Sequence, residues 1–395
     1  MERTIDECFF QIQNGANIKQ GDVDGGYPIT RIETTANDKF NRDRMGYAGI
    51  TDLSKYESYV LEDGDLLMSH INSVQYLGRT VLYEKQGDEC IIHGMNLLRL
   101  KARRDIINPA YARYCFYGHP FRSQVANITK KSVNQASFAV KDLKQIKIDV
   151  PEVERQNKIV KILNKTSELI EKRQQELDTL DELIKARFVE LFGDLMENPL
   201  GWPVMTIADV STFLKSGLSR KLSDDDIGLP VIRSGNIQDG QFIFDDVKYW
   251  YIDDPQGANT KDYILNDGDV LVNFINSSSQ IGKTAIYRDT GRDCIYTTNI
   301  FRMKLADNCN EYYYNWFAMS DYYYRHLQSI IQPAVNQASF TTVNFLKLPI
   351  PLPPKEKQGE FADFVKQVDK SKFVVQKSLE ETQLLFDSLM QEYFG

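Results

Sequence analysis

The hexapeptide VNQASF occurs twice in this chain, at residues 133–138 and again at 335–340, an offset of 202 in a length of 395. The spacing far exceeds the period of stacked solenoid repeats, roughly 20–50 residues, so the copied unit is a whole domain with its connector. Whatever one half folds into, the other half has to fold into as well.

The copy runs through most of the chain. At the same offset Thr4 and Ile5 fall on Thr206 and Ile207, Gly15 on Gly217, Arg31 on Arg233, Pro151 on Pro353, Gln156 on Gln358, Phe192 on Phe394 and Gly193 on Gly395. LEDGDLLMSHINS (61–73) matches LNDGDVLVNFINS (265–277) at offset 204, and LGRTVLYEKQGDEC continues against IGKTAIYRDTGRDC. Insertions have collected in loops while the scaffold persisted, which points to two related but unequal binding tasks.

The connectors set the architecture. Residues 152–192 contain neither Pro nor Gly, and Leu163, Ile170, Leu177, Ile184 and Leu191 recur every seventh residue among Glu, Lys, Gln and Arg. Such a stripe predicts a long coiled-coil helix of roughly 60 Å, too long to serve one small domain. Residues 355–394 repeat the pattern with Val365, Leu379 and Phe386, interrupted by Lys372, while Gly359 weakens the first turn. A neighbouring stripe holds Val368, Val375 and Leu389 where the first copy has Thr166, Arg173 and Arg187. Each helix is apolar where the other is interrupted, which favours an antiparallel pair over self-pairing; the alternative is that each helix covers its own domain.

The segments ahead of each helix read as β-rich, with Val, Ile and Tyr runs punctuated by turns such as Asp63-Gly64 and Asp239-Gly240. Strands are expected in KQIKIDVPEVERQ (144–156) and LKLPIPLPPKEKQ (346–358), and a helix over 109–127 with its counterpart over 311–331. The tyrosines of the counterpart read as helix-packing residues, with base stacking as the alternative. The expected class is α+β: β-rich domains over 1–150 and 196–350, alternating with spacer helices over 151–195 and 351–395, in an internal pseudo-twofold repeat.

No apolar stretch of about 18 residues and no signal-like start is present, so the chain is expected to be neither secreted nor membrane-spanning. Five cysteines, none in C-x-x-C spacing, suit reduced thiols in the cytoplasm. The net charge of −8 is unevenly spread: 20 basic against 19 acidic residues in 1–150, but 13 against 18 in 196–350. Nucleic-acid affinity depends on local cation clusters, and these exist at Arg99, Lys101, Arg103 and Arg104, at Lys130 and Lys131, and at Arg220 and Lys221; the plain alternative is a solvated face.

Catalytic motifs are missing. Ile281-Gly282-Lys283-Thr284 resembles the end of a phosphate loop, but Ser277 stands at its first glycine and Arg79 matches its Lys in the other copy. The four histidines lack metal-ligand spacing, and no N-P-P-Y or D-P-P-Y segment holds a flipped adenine. The expected reading is a non-enzyme without a metal of its own.

Taken together, these residues resemble the specificity subunits of type I restriction-modification systems along the whole chain. The most specific passage, Q-x-x-F-x(n)-L-x-x-I-x-(I/V)-P-x-x-E-x-Q in outline, occupies 135–156 and returns at 337–358 ahead of each helix; the GDVL-like strand and SGNIQDGQF (234–242) are also typical. The chain departs in having RIETTANDKF where the second copy has IRSGNIQDGQF, and in Gly359. The resemblance implies two target-recognition domains reading an asymmetric, split site on double-stranded DNA, with the helical rod setting the gap. It also implies docking of two adenine-N6 methyltransferase subunits and of motor-nuclease subunits, which would carry S-adenosylmethionine, ATP and Mg. A related methyltransferase system without a motor subunit is an alternative.

Candidate DNA-contacting side chains are Ser69, His70, Asn72 and Ser73 in the first unit and Asn273, Asn276, Ser277 and Gln280 in the second. Lys130, Lys131, Arg220, Lys221, Arg233 and Asn236 complete the set, each with a turn-forming or solvated role as the alternative. Asn134-Gln135 and Asn336-Gln337, identical in both copies, suit scaffold or partner contact. Two other functions stay open: a duplicated coiled-coil interaction protein without a DNA role, and a self-contained nuclease built on the acidic run Asp224 to Asp226.

Overall fold

The computed structural model describes residues 1–21, 26–132, 135–333 and 337–395, which fall into two compact units, Met1–Gln174 with Lys377–Gly395 and Gln175–Gln376. Of the repeated hexapeptide, Val133, Asn134, Val335 and Asn336 lie outside the described residues.

In the first unit, β1 (Phe9–Asn14), β2 (Leu66–Ser69), β3 (Thr80–Leu82) and β4 (Leu97–Ala102) form an antiparallel sheet in the order β1-β4-β2-β3. Period-two alternation buries both faces: Leu66, Met68, Leu98 and Leu100 enter one core, while Leu67, Val81 and Leu97 enter another. The first core is closed by α1 (Pro109–Tyr117) and α2 (His119–Ile128). The sequence predicts one helix here. The chain instead breaks at Gly118, which is extended at φ −64° and ψ 148°, and Pro120 then occupies the first turn of α2, where a missing N–H costs nothing. From this unit starts α3 (Val153–Phe192).

The second unit repeats the plan. Its strands β5 (Ser211–Ser216), β6 (Val270–Asn273), β7 (Thr284–Ile286) and β8 (Ile300–Leu305) take the order β5-β8-β6-β7. The register shift between Phe9 and Gln11 recurs between Ser211 and Phe213. Here too the expected single helix is two, α4 (Glu311–Phe317) and α5 (Asp321–Gln328), because the Ser320 side chain caps Tyr323 N–H at 3.2 Å. Tyr313, Tyr314 and Tyr323 are buried packing residues. The last helix, α6 (Lys355–Phe394), runs through Gly359 without interruption.

Within the first unit, Ile159, Val160 and Leu163 near the start of α3 share a core with Phe386, Leu389, Met390, Tyr393 and Phe394 near the end of α6. Within the second, Ile184, Phe188, Leu191 and Phe192 near the end of α3 share one with Phe361, Val365 and Val368 near the start of α6. In each unit the helices therefore meet in the antiparallel sense. Leu177 and Val375 are buried, and Ile170 and Leu379 half-buried, on the same stripes. Lys372, the polar interruption, is answered by Asp181 at 2.5 Å. No helix among the described residues is long and apolar enough to cross a membrane.

Candidate nucleic-acid interface

Between β2 and β3 the chain leaves the sheet for eight residues and returns through a glycine. Gly78, at φ +74°, donates to Ser69 O at 2.8 Å; Gly282, at φ +81°, donates to Asn273 O at 2.6 Å. Only glycine suits the second position: a Cβ on Gly282 would stand 2.0 Å from Leu327 Cδ2. Each closed loop holds a two-residue strand, Ile71–Asn72 or Ile275–Asn276, which pairs with Ala136–Ser137 or Ala338–Ser339. A third strand completes each small sheet: Lys130–Lys131 in the first unit and Gln332–Pro333 in the second.

This arrangement sorts the candidate residues. Asn72 and Ser73, Asn276 and Ser277, and Gln280 lie on the loops, with Ser73 and Ser277 exposed. Asn72 Oδ1 accepts from Ser73 N–H at 2.7 Å and Asn276 Oδ1 from Ser277 N–H at 2.8 Å, while the Asn72 NH2 donates to Ser69 Oγ at 3.2 Å. Lys130, Lys131 and Lys221 are exposed.

Other candidates point inward. Ser69 and His70 are buried; the His70 ring meets Phe138 edge-on at 6.3 Å, as Phe274 meets Phe340 at 6.3 Å in the other unit. Burial lowers the His70 pKa to about 4, so the ring is neutral near pH 7. Asn273 is buried and donates to Ser234 O at 3.2 Å, and Asn236 clamps its own turn through Ile243 O and Asp245 O at 2.9 Å each. Arg220 is held by Asp254, whose carboxylate also accepts from Trp250 Nε1 at 3.2 Å, and Arg233 by Asp246 at 2.7 Å. In the Arg99 to Arg104 cluster, Arg99 is buried and donates to Ser58 O at 2.6 Å and Val60 O at 2.8 Å. Of the acidic run, Asp224 pairs with Lys248 and Asp226 with Arg292.

Of the loop tips, sequence reasoning took only Gln280 and passed over the rest. Val74, Gln75 and Tyr76 stand where the second copy has Ser278, Ser279 and Gln280, between the shared Ile-Asn-Ser and the shared Gly-Arg/Lys-Thr. The signal was available: a stretch that differs between copies while both flanks are held is where a duplicated scaffold carries different contacts.

A duplicated α+β unit with a variable loop and an edge hairpin, joined by two long helices, defines a two-domain recognition protein. The chain belongs to the family of the type I restriction modification DNA specificity domain, whose model matches residues 2–180 and again 199–382. It is 27% identical over 383 residues to the putative type I restriction enzyme MjaX specificity subunit of Methanocaldococcus jannaschii, covering 93% of this chain and 86% of that one. It is 25% identical to the type I restriction enzyme EcoKI specificity subunit of Escherichia coli over 152 residues, 38% of this chain and 32% of that protein. In fold it is similar to the S subunit of the type I restriction-modification system from M. genitalium, with a TM-score of 0.63, 13% identity, and coverage of 100% of this chain and 96% of that one.

Proposed function

We propose that this chain is the sequence-selecting subunit of a type I restriction-modification complex, in which each unit reads one half of an asymmetric, bipartite DNA site. The observation that carries the proposal is the double family match over two units whose equivalent loops differ in side-chain chemistry. Identical readers would demand identical half-sites; unequal ones demand a split, asymmetric target.

In this reading residues 1–150 and 196–350 are the target-recognition domains, and the helices of 151–195 and 351–395 set the gap between half-sites. The exposed Ser73, Lys130, Lys131, Lys221 and Ser277 and the half-buried Asn72, Asn276 and Gln280 face the DNA. The helices dock two adenine-N6 methyltransferase subunits, which bring S-adenosylmethionine and flip the target base, and motor-nuclease subunits bring ATP and Mg. The complex works in the cytoplasm, where free thiols persist; Cys8, Cys115, Cys294 and Cys309 are buried and all five cysteines are unbridged.

The test is a map of adenine-N6 methylation in cells carrying the methyltransferase subunit, with and without this chain. A split motif that appears only with the chain is the expected result. No chain-dependent mark, with both proteins expressed, would return the molecule to the interaction-protein reading.

A further inference from the structure

The two small sheets differ in one strand. Across the first run the rows Asn72, Ala136, Lys131 and Ile71, Ser137, Lys130; across the second run Asn276, Ala338, Pro333 and Ile275, Ser339, Gln332. The central strand and the loop strand at one edge have the same sequence in both copies. All the change is on the opposite edge, the outer strand farther from the loop, where two cations are replaced by a neutral amide and a proline, the latter tolerated because an edge strand has no ladder bond to lose there. With strands about 4.8 Å apart, Lys131 stands about 10 Å from Asn72, within one binding surface.

The lysines add to a charge difference at this surface, where Arg122 also donates to Leu77 O at 2.8 Å and Gln75 O at 3.2 Å in the first unit and Tyr324 stands at its place in the second. The cation after each loop is neutralised in both copies, Arg79 by Asp38 at 2.8 Å and Lys283 by Asp239 at 2.9 Å. Lys130 and Lys131 are exposed and have no ion-pair partner among the described residues. The loop tips follow the same division. Val74 is 49% exposed and Tyr76 lies under the Arg79 guanidinium at 4.8 Å, whereas Ser277 and Ser279 join hydroxyls at 3.2 Å beside Gln280.

Resting on the DNA-reading role proposed above, we infer that the two half-sites are held by different physics. The first unit grips phosphate through Lys130 and Lys131 beside a loop tip of Val74, Gln75 and Tyr76. The second has no cation on its outer strand and, apart from the exposed Lys221, holds its half-site by neutral hydrogen bonding from Ser277, Ser279 and Gln280. Each lysine–phosphate contact releases condensed counterions and adds about 0.9 to the slope of log affinity against log salt; an amide or hydroxyl contact adds nothing comparable.

The experiment uses the full chain in complex with its methyltransferase subunits, on a duplex carrying the mapped split site, with affinity measured from about 50 to about 200 mM salt. The double variant Lys130→Gln/Lys131→Gln is expected to lower the slope by about 1.8, so that its affinity loss over this range is about tenfold smaller than that of the parent complex. The matched edit in the second unit, Gln332→Ala/Pro333→Ala, is expected to leave the slope where it was. An unchanged slope in the lysine variant, or an equal change in the matched one, overturns the inference while leaving the specificity role intact. A parent complex that shows no preference for any split site overturns both.

Discussion

Gln156 and Asn108 are joined by a 2.8 Å hydrogen bond from the Asn108 backbone N–H to Gln156 Oε1, and Gln358 accepts from Asn310 N–H at the same 2.8 Å in the other unit. Each buried amide then donates back, Gln156 to Ile106 O and Pro151 O at 2.8 and 2.7 Å, Gln358 to Asn308 O and Pro353 O at 3.0 and 2.7 Å. One glutamine per unit thus fastens the first turn of a long helix to the N-terminus of α1 or α4. It explains why the P-x-x-E-x-Q passage is kept in both copies. Replacing Gln156 or Gln358 by Leu strands a buried N–H and two carbonyls, with an expected loss of about 1–3 kcal/mol per site in denaturant unfolding.

The glycines separate into opposite predictions. Gly359 lies inside α6 with nothing within 4 Å of an added Cβ, so Gly359→Ala should stabilise by about 0.5–1 kcal/mol. Gly282→Ala forces a side chain into Leu327 at positive φ and should lower the thermal midpoint. Thermal melts of the two variants against the parent chain check both signs.

His70 carries a pH dependence that its counterpart Phe274 lacks. Its folded pKa, lowered by burial to about 4, lies below the unfolded value of about 6.5, so the unfolded chain binds the proton first. Stability from this site is complete above about pH 6.5 and declines as pH falls toward 4, at up to about 1.4 kcal/mol per pH unit. His93, lowered to about 3 by burial, adds to the same decline. His70→Phe should flatten the stability curve between pH 6.5 and 4 without abolishing its slope, measured by urea unfolding at stepped pH.

Arg302 and Asp269, paired at 2.6 Å with side chains 7% and 4% exposed, repeat Arg99 and Asp65 at 3.7 Å in the first unit. Asp269→Ala leaves the Arg302 guanidinium buried without its carboxylate, and the expected cost is about 3–5 kcal/mol. Arg302→Met with Asp269→Leu, which removes both charges, should recover much of that loss in the same unfolding assay.

Much of this architecture is written in residue pattern. The duplication demands two equal folds; the seven-residue stripes of 163–191 mark the buried faces of α3; the alternation in LLMS and VLVN makes β2 and β6 two-faced. These signals are local, because helix and strand periods depend on neighbours a few residues away. What the pattern did not disclose is which polar groups reach solvent. Arg220 depends on Asp254, 34 residues on, and Asn273 on Ser234, 39 residues back. His70 and Asn72 are two residues apart, yet one is buried and the other borders the loop surface. A side chain's identity states what it can bond to, whereas its desolvation is fixed by chain that arrives from elsewhere, and only the tertiary structure decides that.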